Sequence, residues 1–174
     1  MEQDLPASGV IPISAMKGED EDEFLRLHAM EKCARTFIES FTWCGSIRDF
    51  YFGDGIGDIF AVFLARIMPA YPDLDEYLWI VVGDLPSAYL VTDILKTPKD
   101  ALQTYIAEMR KWVALARKGK SSKKVIPVNV PATPEWAELL SSMLDALEEK
   151  IIPVWFKQAA ESNSKTIAIP PLQR

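Results

Sequence analysis

Three groups of residues have types and spacings that chemistry could use. The first is the hexapeptide Gly53-Asp54-Gly55-Ile56-Gly57-Asp58. Glycines in this rhythm cradle phosphate when they join a strand to a helix, because backbone N–H groups then point at the ligand. No Lys-Ser or Lys-Thr pair follows them, and the two aspartates would repel a phosphate. The composition fits a hairpin loop better, with glycine supplying positive φ and aspartate supplying side-chain turns. The second group is Asp54, Asp58 and Asp84. In an antiparallel meander alternate loops lie at one end of the sheet, so loops 53–58 and 83–86 share a rim. Three carboxylates there could hold Mg²⁺ or Ca²⁺ through oxygen ligands. The spacing of a calcium loop and its distal glutamate are both missing. Aspartate is common in turns, and no tightly held metal is expected.

The third group is basic. Arg110, Lys111, Arg117, Lys118, Lys120, Lys123 and Lys124 have no acid among them, in a chain whose formal charge is −6. Such a run could meet an anionic partner. Cations also suit a helix C-terminus. Aromatic residues interleave with it only at Trp112, and the overall balance disfavours nucleic acid. Asp93 and Glu108 could act as acid and base, but no pattern brings them together. The single histidine, His28, excludes a multi-histidine metal site within one chain. No cofactor motif is present.

These residues need a framework. The chain of 174 residues is 49% hydrophobic and 25% charged, which suits one folded α+β domain. Residues 1–18 read as a flexible arm, 19–161 as the domain and 162–174 as a tail. The N-terminal stretch has acids and prolines instead of a basic start and an apolar run, so no secretion signal is expected. No apolar stretch reaches the roughly 18 residues of a membrane span.

The acidic run 19–23 marks a helix start, and Leu27, Met30, Ala34, Phe37, Ile38 and Phe41 continue at helical spacing. This predicts a helix over 22–44, closed by Gly45. His28 falls away from its apolar stripe. Cys33 and Cys44 would then lie roughly 16 Å apart along one axis, beyond the roughly 7 Å a disulfide spans, so free thiols are expected. Residues 47–52, 59–67, 77–82 and 88–92 are short, β-branched and aromatic, with turn residues between them. They predict a four-stranded antiparallel meander. The stretch 59–65 has no polar alternation, which fits a central strand covered on both faces or a buried helix.

Thr97-Pro98-Lys99-Asp100 and Thr133-Pro134-Glu135 are helix starts, with a capping threonine and a proline at the first turn. The apolar residues after each keep the helical period. That makes three main helices packed on the sheet. Residues 125–130, with Pro127 inside, read as a connector or edge strand.

Three segments also carry a resemblance. They are Gly83-Asp84-Leu85-Pro86-Ser87-Ala88-Tyr89-Leu90-Val91-Thr92-Asp93, residues 101–113 with Glu108-Met109 and Trp112-Val113, and Pro127-Val128-Asn129-Val130-Pro131 leading into Thr133-Pro134-Glu135-Trp136. They resemble a family of small bacterial proteins without an assigned activity. The likeness covers roughly the middle three-quarters of the chain. It implies a bacterial, cytoplasmic, stand-alone domain and brings no catalytic residues.

Three functions stay open on the sequence. A protein-binding module, such as a regulator or an immunity-type neutraliser, fits the charge, the aromatic content and the lack of a catalytic set. It would be a monomer or weak dimer without cofactor. An enzyme or small-molecule binder would use the rim of Asp54, Asp58 and Asp84. An anionic polymer would use the 110–124 cluster.

Overall fold

The computed structural model describes residues 4–154. The chain is α+β, with a five-stranded antiparallel sheet in the order β1 to β5. The strands are β1 Ile11–Pro12, β2 Ser46–Ile56, β3 Phe60–Met68, β4 Tyr77–Gly83 and β5 Ala88–Val91. The helices are α1 Glu21–Glu39, α2 Pro98–Ala116 and α3 Pro134–Ala146. Four strands were expected, and the segment read as an arm supplies the fifth. Its Ile11 and Pro12 pair with Phe52 and Tyr51 on the edge of β2. Proline is tolerated there because an edge strand can leave one N–H side unpaired.

Strand β3 has no polar alternation because both of its faces are covered. Residues 60–65 are at most 1% exposed. On one face Ala61, Phe63, Ala65 and Ile67 pack with Leu27, Met30, Ala34 and Ile38 of α1. On the other, Phe60, Val62 and Leu64 join Leu102, Tyr105, Ile106 and Met109 of α2. The sheet is therefore a middle layer, and 59–67 is a strand and not a buried helix. Helix α3 reaches the core mainly by packing on α2 instead of on the sheet.

The local start signals act as their chemistry requires. Asp20 caps α1, its side chain accepting from the Glu23 N–H at 2.8 Å. Thr97 Oγ1 accepts from the Asp100 N–H at 3.1 Å, and Asp100 accepts from the Thr97 N–H at 3.0 Å. This reciprocal box satisfies two donors that a helix start leaves free. Thr133 caps α3 in one direction only, its hydroxyl accepting from the Trp136 N–H at 3.4 Å. Past Ala146 the helix widens to a π turn over Leu147–Ile151. Pro153 follows, and its missing N–H removes one partner from that turn.

Helix α1 ends five residues before the expected 44. Ser40 closes it, its hydroxyl donating to the Phe37 carbonyl at 2.6 Å. Phe41 and Trp43 then leave the helical path to stack at 5.1 Å, and both meet Tyr89 of β5, at 5.2 and 5.0 Å. Burying three rings together outweighs the small helix preference of the intervening residues. Cys44 is consequently buried in a separate tight turn, while Cys33 stays exposed on α1, and both are free thiols. Burial raises the Cys44 thiol pKa, and Glu39 adds to the shift. Among the described residues no helix is long and apolar enough to cross a membrane.

Candidate functional site

The hexapeptide 53–58 is not the loop expected. Strand β2 runs through Gly53, Asp54 and Gly55 to Ile56, and only Gly57 to Ile59 turn. The positive φ in this turn belongs to Asp58, at 66°. The glycines serve close approach instead. A Cβ on Gly53 would lie 2.8 Å from the Val62 carbonyl oxygen and 2.9 Å from the Pro98 ring. Gly53 thus lets the start of α2 sit directly on β2.

The three aspartates do not converge. Asp54 lies on β2 opposite Val62, its Oδ1 accepting from the Gly55 N–H at 2.9 Å. Asp58 sits at the exposed hairpin tip, 3.5 Å from Arg26. Asp84 is exposed in the β4–β5 turn, where its N–H donates to Ile59 at 3.1 Å. The two turns do adjoin, as the meander predicted. Among the described residues, no three His, Cys, Asp or Glu side chains are grouped to hold a metal ion. Asp54 is taken up by the Gly55 N–H and Asp58 by Arg26.

Asp54 has a setting of its own. It lines a cleft of about 390 Å³ with Leu27, Phe52, Ile59 and Lys150. Burial raises its carboxyl pKa from 3.8 to about 6, and the Gly55 N–H only partly offsets this. The folded state therefore binds a proton that the unfolded state has lost between these values. Stability contributed by the neutral carboxyl is full below about pH 3.8 and is lost as pH rises through about 6. Asp54→Asn should raise the melting temperature above pH 6 and flatten the fall between pH 4 and 6. The gain at neutral pH should be on the order of 1 kcal/mol once solvent screening is allowed for. Melting curves across that range check it, and an equal shift of both proteins at every pH would refute it.

The basic run divides into two sets. Arg110 donates to Asp145 at 3.0 Å and to Glu148 at 2.6 Å. Arg117 donates to Glu138 at 2.6 Å and to Ser141 at 3.2 Å. Lys111 pairs with Glu108. These three cations tie α2 to α3 or to itself. Lys118, Lys120, Lys123 and Lys124 are exposed and make no ion pair among the described residues. Glu108 is held by Lys111, and Asp93 is exposed after β5, so no acid–base pair forms between them.

A second, wider concavity lies at the opposite edge of the sheet from Asp54. It is a groove of about 870 Å³. One wall is Phe37, Ser40 and Phe41 from the end of α1, and the other is the connector 123–129. Its floor is Pro86 to Tyr89, where β5 begins. Among the described residues β5 pairs only with β4, and its outer edge has no strand partner among them. No backbone hydrogen bond joins the connector to it. Tyr105 of α2 fixes the floor by donating its hydroxyl to the Pro86 carbonyl at 2.5 Å. That burial pushes the Tyr105 hydroxyl pKa up, keeping it a donor.

Sequence patterns placed Phe37 and Phe41 on a helix stripe and Tyr89 in a strand, without joining them. The signal at hand was the aromatic cluster just past a helix end, at Phe41 and Trp43. The connector follows no strand geometry, although Val125, Ile126 and Val128 pack on the α2 side of the core. The chain matches no family model, no curated protein and no solved structure.

Proposed function

We propose that this chain is a protein-binding module that receives an extended segment of a partner along the outer edge of β5, as a sixth strand. The observation that supports this is a strand edge without a partner among the described residues, at the floor of a groove of about 870 Å³ with an aromatic wall. Unpaired N–H and C=O groups on an edge are a template for strand addition, and side pockets give specificity. Apolar surface continues past the groove at Val91, 43% exposed, and Ile94, 85% exposed. Exposed apolar side chains beside an open edge suit a partner more than solvent. The reading fits a regulator in the bacterial cytoplasm, the setting the family resemblance implies.

A second reading rests on Asp54. A half-buried carboxyl whose pKa is raised to about 6 in a cleft suits a small-molecule binder or an acid–base enzyme. One experiment separates the two. Binders selected from a displayed library of random peptides would be mapped by hydrogen–deuterium exchange. Protection at 86–91 and 123–129 is expected, with affinity lost on N-methylation of alternate peptide amides. Protection around 54–56 and 150–154 would favour the second reading, and a library yielding no binder would overturn the first.

A further inference from the structure

We infer that the segment taken up beside β5 alternates in character, acidic where it faces the connector and apolar or aromatic where it faces α1. This rests on the strand-addition reading and specifies its ligand. The two sides of β5 differ. Ala88 and Leu90 turn toward α2 and are buried there. Tyr89 turns toward α1, where it meets Phe41 and Trp43. Successive residues of an added strand point to alternate faces, in step with the strand they pair with. Its residues beside Tyr89 therefore meet Phe37 and Phe41. The others meet the connector, where Lys123 and Lys124 line the groove.

Charge complementarity selects the acid. Lys123 and Lys124 are exposed and unpaired among the described residues, and Lys118 and Lys120 lie just before them. Glu108, an acid on the groove wall, is occupied by Lys111. Four lysines without an ion pair among the described residues raise the local positive potential in a chain of net charge −6. A second copy of this chain is a poor occupant, because antiparallel β5–β5 pairing would bring two lysine clusters toward one groove. An acidic strand removes that repulsion and leaves the apolar phase free for the rings.

The test uses the full chain and end-capped hexapeptides alternating glutamate with tyrosine or valine. Comparison peptides replace glutamate by lysine, or keep the composition but block the acids together. The alternating acidic peptide should bind at least about tenfold tighter than either, and weaken with added salt. In Lys123→Glu with Lys124→Glu the preference should reverse toward the lysine peptide. Both positions are exposed, and an unchanged melting temperature would confirm the variant's fold. Equal binding of acidic and basic alternating peptides at β5 would overturn the inference and leave strand addition standing. Binding of the blocked peptide as tightly as the alternating one would overturn the alternation. No binding by any peptide would remove both.

Discussion

Trp79→Ala should lower the free energy of unfolding by about 3–5 kcal/mol, the usual range for deleting a fully buried tryptophan. Trp79 has no solvent exposure. It stands at the middle of β4, between Leu64 of β3 and Leu90 of β5. Its indole N–H donates to the Leu95 carbonyl at 2.9 Å. Truncation therefore opens a cavity in the α2 layer and leaves a carbonyl without its donor. Leu95 lies between β5 and the Thr97 cap of α2, so the same change loosens the turn that carries β5. Trp79→Phe should cost less, about 1–2 kcal/mol, because it loses the hydrogen bond but keeps most of the volume. Urea denaturation followed by circular dichroism measures both. A loss below about 1 kcal/mol for the alanine variant would mean that the layer repacks around the gap.

Gly45→Ala should cost roughly 2–4 kcal/mol, from strain and overlap together. Gly45 has φ 68° and ψ −95°, a conformation that a side chain disfavours. A Cβ there would stand 2.0 Å from the Met68 carbonyl oxygen, which is backbone and cannot rotate away. The turn matters because it carries Trp43 into its place beside Tyr89, and the Trp43 carbonyl accepts from the Ala70 N–H at 2.9 Å. Gly119→Ala is the natural control. Its φ is 63°, yet nothing lies within 4 Å of its Cβ position. It should cost only the left-handed term, about 1 kcal/mol. Equal losses at the two glycines would show that the Met68 contact yields easily.

Signals carried by a few neighbouring residues were legible in the chain. A threonine cap, a proline and an acid within four positions placed the starts of α2 and α3, because a cap needs only donors three residues away. The unbroken apolar run of β3 announced a fully covered segment, strand or buried helix, and the short turns required an antiparallel meander. What failed depended on partners far along the chain. Helix α1 stops early because Tyr89, nearly fifty residues on, offers Phe41 and Trp43 a better burial. Gly53 and Gly55 look like loop glycines, yet β2 continues through them because Pro98 and β3 press close. Arg110 and Arg117 look like an anion site until acids of α3 take them, 35 and 21 residues away. Asp54, Asp58 and Asp84 share an end of the sheet but not a centre, since shared loops do not fix side-chain direction. Local chemistry thus determined most helix starts and the short strand segments. Tertiary packing decided which charges and which strand edge find no partner among the described residues, because both depend on how distant segments pack.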